Sequence, residues 1–365
     1  MKICVATDVH KGDDQRINKE IKSLKKMGEV IFIHPEGSNA LVNVKEVMIK
    51  RYSSRKERFL KGPKEVYKEV LKINPDFFHF HDPELMPIAK KLAKKGIKVI
   101  YDVHENYPAD ILTKHYIPKW MRKTISKIVE IYENNAAKKF YGVVVVTENM
   151  CERFSKFTRC VLVPNYPDLE ILKSIEYSKR SGGKIRFVYS GSIDEDRAII
   201  EMLEAYKKLS EERNDVEFLM FGPVYSNKIQ DYLKTYKANG FIYHPPVSYK
   251  ESLKMIAESD IGMLVIHRNE SKEISSPVKM FEYLYFNLPI VASNFSYWKK
   301  FLNEECATFV EPDDVESIYS GMKKAISMIG KYNCRKIAEE HSWNVCENNL
   351  ISLYLNHGKS GGLKT

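Results

Sequence analysis

The stretch Gly142-Val143-Val144-Val145-Val146-Thr147 has four consecutive apolar residues, so a strand formed here must be covered on both faces. Strands of this kind are typical of parallel sheets with helices on either side. Outward from this stretch, short apolar runs alternate with longer helical patterns along nearly the whole chain, which predicts βαβ units. The predicted fold class is therefore α/β, built from doubly wound parallel sheets.

The strand series restarts once, after a segment that loses apolar periodicity. This segment ends in Ser178-Lys179-Arg180-Ser181-Gly182-Gly183-Lys184, a composition typical of linkers. We predict a first domain over residues 1–166, a linker over 167–184 and a second domain over 185–342. The predicted strands are 2–7, 29–34, 77–81, 98–102, 142–147 and 160–164, then 185–190, 216–221, 242–244, 261–265, 289–292 and 307–310. The predicted helices include 16–27, 64–73, 84–95, 120–139, 199–211 and 249–258.

The composition is that of a globular protein: the chain has 365 residues, of which 44% are hydrophobic and 29% charged. No run approaches the ~20 apolar residues that a membrane-spanning helix needs. The six cysteines contain no Cys-x-x-Cys pair, and four of them lie among apolar residues. We interpret them as thiols of a protein in a reducing cytoplasm, without structural zinc.

A net charge of +10 is compatible with a nucleic acid, an anionic membrane surface or a phosphate-rich substrate. No recognised nucleic-acid motif accompanies the charge, so we expect no nucleic-acid partner. Residues 114–129 combine basic and apolar side chains in the pattern of a basic amphipathic helix that could contact a membrane surface. An ordinary surface helix with one core face is the favoured alternative. The basic residues of this segment are Lys114, Lys119, Arg122, Lys123 and Lys127.

Two polar segments follow predicted strands of the first domain. Phe78-His79-Phe80-His81-Asp82-Pro83-Glu84-Leu85 leads from a strand into Asp82-Pro83, a pair typical of a helix start. Ile100-Tyr101-Asp102-Val103-His104-Glu105-Asn106-Tyr107-Pro108 again places polar groups where a strand ends. Ligands of doubly wound sheets bind at such ends. We therefore predict that His104 and Glu105 belong to a catalytic site, although a single histidine is more often structural.

In the second domain, the segment 187–197 predicts a strand, a glycine turn and the start of a helix. Gly191, Ser192 and Arg197 then bring backbone amides and a cation to one place, as in phosphate sites. Asp194 and Asp196 resemble a metal-binding Asp-x-Asp. We favour acids at a helix N-terminus, where the helix dipole stabilises negative charge.

The most informative motif begins at Ser275-Ser276-Pro277. It predicts a helix with serine as the cap and proline at the first helical position. The free amides and positive dipole end of that helix suit a diphosphate, and Lys279 adds a cation. Glu282 follows within the first turns, where its carboxylate can accept hydrogen bonds from ribose hydroxyls.

With these motifs together, the chain resembles family 4 of the glycosyltransferases over nearly its whole length. The resemblance implies the GT-B fold, which is two Rossmann-like domains facing a central cleft. It also implies a closing helix over 343–357 that packs back toward the first domain, and a flexible tail over 358–365. The motifs that carry it are Asp14-x-Arg16-Ile17, His81-Asp82-Pro83-Glu84, Tyr101-Asp102-Val103-His104-Glu105, Val163-Pro164-Asn165, Pro277-x-Lys279-x-Phe281-Glu282-Tyr283 with Leu288-Pro289-Ile290-Val291, and His341-Ser342-Trp343.

The resemblance implies a retaining sugar transfer from a UDP- or GDP-linked donor, without a catalytic metal or further cofactor. His104 would face the transferred sugar, and Glu282 would bind the ribose. A saccharide or lipid-linked acceptor, and a role in surface polysaccharide synthesis, follow from family habit. The other donor-binding residues that it implies are Gly12, Gly191, Ser192, Arg197, Gly222, Val247, Tyr249, Ser275, Ser276 and Lys279.

One position departs from the family pattern. Many members have a glutamate eight residues before the ribose-binding one, and this chain has Ile274 there. Glu270 or Glu273 could substitute. A non-catalytic binder of nucleotide sugars and an epimerase-like enzyme therefore stay open as alternatives.

Overall fold

The computed structural model of the chain describes residues 1–114, 117–180 and 183–355, without the side chains of Arg55, Thr113, Glu270 and Ser271. The chain forms two compact units. Unit 1 contains Met1–Asn165 and the segment that begins at Trp343, and unit 2 is Tyr166–Ser342. The predicted tail 358–365 lies outside the described residues, as do 115–116 and 181–182 of the predicted basic helix and linker.

Unit 1 is built on a seven-stranded parallel sheet in the order β3-β2-β1-β4-β5-β6-β7. Its strands are β1 Lys2–Ala6, β2 Glu29–Pro35, β3 Lys45–Ile49, β4 Phe77–Phe80, β5 Lys98–Val103, β6 Gly142–Val145 and β7 Cys160–Leu162. Its helices are α1 Gln15–Leu24, α2 Arg55–Ile73, α3 Met86–Lys94, α4 Tyr107–Thr113, α5 Lys119–Ala137, α6 Glu148–Ser155 and α15 Trp343–Tyr354.

The valines of β6 explain why this sheet needs helices on both faces. Val143, Val144 and Val145 are fully buried although their side chains alternate between the two faces. Helix α15, although distant in sequence, contributes to this covering. A Cβ on Gly142 would lie only 2.6 Å from a methyl of Leu353 in that helix. The first β-strand has neighbours on both sides, β2 and β4, so the sheet order reverses around β1.

Unit 2 is built on a six-stranded parallel sheet in the order β10-β9-β8-β11-β12-β13. Its strands are β8 Ile185–Ser190, β9 Val216–Phe221, β10 Phe241–His244, β11 Ile261–Leu264, β12 Ile290–Ser293 and β13 Ala307–Val310. Its helices are α7 Leu169–Lys173, α8 Ile199–Glu212, α9 Asn227–Thr235, α10 Tyr249–Ala257, α11 Glu270–Glu273, α12 Val278–Tyr285, α13 Val315–Ile326 and α14 Arg335–Glu340.

The α/β fold class and the two parallel sheets confirm the prediction, with two differences. The strand β3 was not predicted, because only Ile49 of this edge strand is buried and Lys45-Glu46 interrupts its apolar pattern. The predicted linker 167–184 contains helix α7, which Asp168 caps by accepting a hydrogen bond from the Glu170 amide. Leu172 is buried in the core of unit 2, so this part of the linker belongs to the domain.

The interpretation of all six cysteines as thiols is wrong for one pair. Cys306 and Cys334 form a disulfide across 28 residues of sequence. Among the described residues, Cys4, Cys151, Cys160 and Cys346 are free. A long separation gives no spacing signal, so the pairing depended on the fold bringing the start of β13 near α14. Within the described ranges, no helix has the length and apolar character needed to cross a membrane.

Candidate functional site

Two glycines at the carboxyl ends of β8 and β9 shape the first part of the site. Gly191 and Gly222 have φ values of +125° and +139°, which side chains rarely allow. A Cβ on Gly222 would lie 1.9 Å from the carbonyl oxygen of Gly191. The two turns therefore approach so closely that both positions require glycine.

Lys279 lies against the first of these turns. A Cβ on Gly191 would be 2.5 Å from Lys279 Nζ, which donates a hydrogen bond to the Ser190 carbonyl. The ammonium also lies 4.4 Å from the centre of the Tyr189 ring. Burial and, to a smaller extent, the positive charge of Arg197 lower the pKa of Lys279 to about 7, although the charges of Glu282 and Asp194 oppose this shift. The structure thus brings Gly191 and Lys279 together, as the sequence predicted.

Arg197 ends a short 3-10 turn over Glu195–Arg197 that precedes α8. Its Nε lies 3.8 Å from Asp194 Oδ1, and the same carboxylate accepts a hydrogen bond from the Asp196 amide. Asp194 therefore caps the turn, which agrees with the N-terminal interpretation of Asp194-x-Asp196. The adjoining residue Ser192 accepts a hydrogen bond from the Tyr189 hydroxyl through its carbonyl, at 2.5 Å.

The predicted serine cap of the next helix is wrong. Helix α12 begins at Val278, and Pro277 is its N-cap with an extended backbone and no side-chain bond to the helix. The Ser275 hydroxyl donates instead to the Lys272 carbonyl at 2.9 Å, because Ser275 closes the turn that follows α11. Ser276 precedes the cap by one residue. The first amides of α12 still provide the positive end of a helix dipole beside Lys279.

Glu282 is the most buried acid of this group, at 5% exposure. The Tyr249 hydroxyl, from the first turn of α10, donates to Glu282 Oε1 at 2.7 Å. Val247 precedes α10 and packs against the core of unit 2. Ile274 follows α11 directly, and the neighbouring Glu273 carboxylate lies 3.8 Å from Arg268 Nη1. The substitution of the missing acid by Glu270 or Glu273 stays a prediction.

In unit 1, His104 follows β5 and its side chain is 15% exposed. Its Nε2 lies 2.9 Å from His81 Nδ1. Burial lowers the pKa of His104 to about 4, so the imidazole is neutral near pH 7. The adjacent Glu105 is exposed. These two predicted catalytic residues therefore have different environments.

The need for glycine at position 12 is explained by contacts within the chain itself. A Cβ there would lie 2.4 Å from the Ser38 carbonyl oxygen and 2.9 Å from the Ala40 amide nitrogen. The close approach that requires glycine is thus made by the chain's own backbone. A contact of Gly12 with a ligand stays a prediction.

His10 is a candidate site residue that sequence reasoning missed. Its ring nitrogens lie 3.2 Å from Asp14 Oδ2 and 3.4 Å from Asp82 Oδ1, and its ring centre is 5.5 Å from that of His104. Burial opposes the charge, yet the bond to Asp14 and the charge of Asp82 raise the pKa of His10 to about 9. A protonated histidine therefore lies beside the neutral His104. The available signal was the polar run Thr7-Asp8-Val9-His10 directly after β1.

Behind these residues lies a fully buried histidine–carboxylate cluster of Glu20, His79, His81 and Asp102. Helix α1 supplies the first, β4 and its end supply both histidines, and β5 supplies Asp102. Arg16 binds both Asp102 oxygens, at 3.0 and 3.1 Å. The alternation in Phe78-His79-Phe80-His81 places both histidines on one face of the sheet. The cluster that they form with residues of α1 and β5 was not predicted.

Comparison with known proteins identifies the family models that the chain matches and the solved structures that share its fold. The family model described as Glycosyltransferase Family 4 matches residues 20–171, and the one described as Glycosyl transferases group 1 matches residues 184–328. No curated protein matches the sequence.

Several solved structures share the architecture. Sucrose-phosphate synthase from Thermosynechococcus elongatus is 13% identical, with 97% of this chain and 98% of that chain covered and a TM-score of 0.73. An Escherichia coli trehalose-6-phosphate structure bound with UDP-2-fluoro glucose is 13% identical, with 96% and 98% covered and a TM-score of 0.69. A glycosyltransferase from Rickettsia africae is 17% identical, with 98% and 99% covered and a TM-score of 0.69. At such identities the likeness shows the shared GT-B fold.

Proposed function

Because the chain is a glycosyltransferase of the GT-B class, in which a family 4 domain precedes a group 1 domain, we propose that it transfers a sugar, with retention, from a nucleoside-diphosphate sugar to a saccharide or lipid-linked acceptor. Surface polysaccharide synthesis in the cytoplasm is the setting that we propose for this reaction.

The observation that carries the proposal is the position of Lys279, which lies in the first turn of α12 and whose ammonium lies against Gly191. A cation with a lowered pKa, a second cation at Arg197 and the amides of a helix N-terminus form one group in unit 2. Such a group suits a diphosphate, because the phosphate oxygens accept hydrogen bonds and neutralise both charges. Bound diphosphate would restore the charged state of Lys279.

Glu282 is proposed to bind the ribose of the donor. One of its oxygens is engaged by Tyr249, which holds the carboxylate in a single orientation. A carboxylate oriented in this way accepts hydrogen bonds from a pair of vicinal hydroxyls. We propose that Gly222 and Val247 lie near the base.

The chemistry proposed for this site is electrostatic stabilisation of the leaving diphosphate. Negative charge develops on the diphosphate as the bond to the sugar breaks, and Lys279, Arg197 and the α12 amides are the groups proposed to stabilise it. His104, neutral near pH 7, would donate or accept a hydrogen bond to the transferred sugar. Retention then follows from attack by an acceptor hydroxyl on the face of the sugar that the diphosphate leaves: the new C–O bond forms as the bond to the diphosphate breaks, and the hydroxyl proton passes to the departing diphosphate oxygen.

A thermal-shift panel tests the donor class directly. The intact protein is heated with UDP, GDP, ADP, CMP and their common sugar conjugates. A ligand present at 100 times its Kd adds ~2.7 kcal/mol of stability, which is readily visible in a melting curve. Stabilisation by one nucleotide supports the proposal and identifies the base. No stabilisation by any nucleotide contradicts it.

A second candidate, a non-catalytic binder of nucleotide sugars, is favoured by Ile274 at the position of the family's glutamate. Release of free nucleotide from the stabilising donor separates the two. Turnover that disappears in His104→Ala, while the thermal shift persists, supports the transferase. Binding without turnover in the wild type supports the non-catalytic binder, and conversion of the donor sugar without an acceptor supports an epimerase.

Peripheral membrane contact is proposed for helix α5. Its side chains Trp120, Ile128 and Ile131 are 81%, 59% and 50% exposed, next to Lys123 and Lys127 on the same helix. Exposed aromatic and aliphatic groups among lysines suit the interface of an anionic bilayer. Co-sedimentation with phosphatidylglycerol vesicles tests this. The contact is supported if the wild-type protein pellets with phosphatidylglycerol but not phosphatidylcholine vesicles, and if Trp120→Ser does not pellet with phosphatidylglycerol vesicles. Equal pelleting of the wild-type protein and Trp120→Ser contradicts it.

A further inference from the structure

The buried cluster in unit 1 presents four ligand atoms to one point. Glu20, His79, His81 and Asp102 each offer an atom, and these atoms all lie within 4.8 Å of one another. His79 Nε2 is 3.2 Å from Glu20 Oε2 and 3.7 Å from Asp102 Oδ2. His81 Nε2 is 3.9 Å from Glu20 Oε2. In a tetrahedral zinc site the ligand atoms are separated by about 3.3–3.5 Å, so the shorter separations here already match, and the widest would contract by about 1 Å on binding an ion.

The outer atoms of the same side chains are already engaged. His79 Nδ1 lies 2.5 Å from the Tyr354 hydroxyl, and His81 Nδ1 lies 2.9 Å from His104 Nε2. Arg16 contacts Glu20 Oε1 at 3.1 Å through Nε and binds Asp102 through Nη2. Metal-binding histidines and carboxylates are oriented by outer contacts of this kind. Both oxygens of Asp102 accept from Arg16, so the inner atoms that remain are Glu20 Oε2, His79 Nε2 and His81 Nε2.

Those inner atoms lack aligned partners. Within the described part of the chain, no hydrogen bond reaches His79 Nε2, His81 Nε2 or either oxygen of Glu20, and all three side chains are at most 1% exposed. Buried polar atoms without partners are costly, so most native proteins satisfy them. A ligand at this point would remove that cost.

The charges of the cluster are compatible with a bound cation. Two carboxylates and the Arg16 guanidinium leave one excess negative charge when both histidines are neutral. A shared proton would balance it, but a proton bridges only two atoms and would leave His81 Nε2 unsatisfied. A metal ion can accept all four lone pairs at once. Two imidazoles with two carboxylates form a nitrogen–oxygen set that suits zinc and neighbouring divalent metals.

We propose that unit 1 binds one divalent metal ion of the zinc class through Glu20, His79, His81 and Asp102. The ion would join α1, β4 and β5 from inside the fold and would orient His104 through its contact with His81. Its four protein ligands leave no open position, so its role is structural. The proposal is independent of the donor and of the transfer reaction.

Metal analysis of the intact protein tests the proposal. The full chain is purified without chelator or metal-affinity resin, and its metal content is measured by inductively coupled plasma mass spectrometry. We expect about one equivalent of zinc or a neighbouring metal per chain. Protein produced with Co²⁺ should show the strong visible absorption of tetrahedral cobalt. Metal content below about a tenth of an equivalent, together with no such absorption, overturns the proposal.

Matched variants place the ion in the cluster. Glu20→Gln and His79→Asn each remove one ligand, and we expect a loss of at least tenfold in bound metal. His34→Asn is the control, because His34 is also fully buried beside a carboxylate but lies outside the cluster. Equal metal content in all three variants would exclude this site. Should the cluster variants not fold, the cobalt spectrum of the wild-type protein decides alone.

Discussion

Each unit holds a buried cation near the ends of its strands, and the two cations differ in how much negative charge surrounds them. In unit 1, Arg16 is 5% exposed and both oxygens of Asp102 accept its hydrogen bonds. In the described part of unit 2, the only hydrogen bond of the Lys279 ammonium is to the Ser190 carbonyl, and Arg197 lies close enough to repel its charge. The charge of the first cation is compensated by the carboxylates of Asp102 and Glu20. The second is undercompensated, a state that a bound anion would relieve.

Because of this difference, we expect Arg16 to contribute to the stability of the fold and Lys279 to the binding of an anion. A compensated buried ion pair is destabilising to break, since it leaves a lone charge in a medium of low polarity. An undercompensated cation costs stability in the free protein and contributes to affinity when the anion arrives. Removing each cation should therefore have effects of opposite sign on folding.

The largest effect is expected from Arg16→Met. The substitution leaves Asp102 buried without its counter-charge, which costs ~3–5 kcal/mol. Urea unfolding followed by fluorescence measures the loss. Lys61→Met is the control, because Lys61 pairs with Glu57 on the surface of α2 and should change stability by less than ~1 kcal/mol. Equal losses in the two variants would contradict the compensation of Arg16.

The next effect is expected from Lys279→Met. Loss of a charged hydrogen-bond donor should weaken binding of the stabilising nucleotide by ~2 kcal/mol, about 30-fold in Kd. The melting temperature of the free protein should stay equal or rise by ~2–4 °C, because an undercompensated charge is removed. Calorimetric titration and a melting curve give both values. A lower melting temperature with unchanged Kd would reverse the assignment of the two cations.

A smaller effect is expected from pH. Lys279 has a pKa of about 7 in the free protein, and a bound diphosphate favours its protonated form. Binding therefore takes up a proton above pH 7, and affinity should fall as pH rises from 7 to 9, by at most ~10-fold per pH unit. A sugar nucleotide is the probe, since its diphosphate does not titrate in this range.

Lys279→Arg sharpens the pH measurement. Arginine stays charged throughout, so the affinity of this variant should not depend on pH over the same range. The neighbouring charged groups Arg197, Asp194 and Glu282 are unchanged in it. A slope that persists in Lys279→Arg would assign the titration to another group, such as His10.

The smallest effect is expected from Tyr249→Phe. It removes the hydrogen bond to Glu282 and leaves the ring in place, which should cost ~1 kcal/mol of nucleotide affinity, about fivefold. Affinity for inorganic pyrophosphate, which has no ribose, should be unchanged. An equal loss for both ligands would contradict the ribose-binding role of Glu282.

Local sequence patterns were sufficient to predict features that depend on a single strand, turn or helix. The buried runs predicted all but one strand, and the glycine at 191 and the lysine at 279 were found because each lies next to a turn or a helix start. The serine cap failed since Ser275 and Ser276 were both good caps in isolation. Which residue ends the preceding turn was decided by contacts of that turn, such as Trp298 Nε1 donating to the Ser275 carbonyl.

Features that join distant elements could not be predicted in this way. The disulfide joins residues 306 and 334, and Glu20 meets His79 and Asp102 only after three separate elements have assembled. His10 was overlooked for the same reason, because its importance comes from Asp82, which follows the separate strand β4. Sequence spacing carries no information on such partners until the order of the strands is known.

The return of α15 to unit 1 has a consequence for biosynthesis. Unit 2 is one continuous segment, whereas the core of unit 1 includes Tyr354, whose hydroxyl reaches His79. A ribosome therefore synthesises all of unit 2 before it synthesises helix α15 of unit 1. Although domains are usually completed in the order of synthesis, unit 1 stays incomplete until α15 has followed unit 2, with an open seam beside β4 where Tyr354 packs in the complete unit. Nascent chains that stall before Trp343 would expose that seam to chaperones.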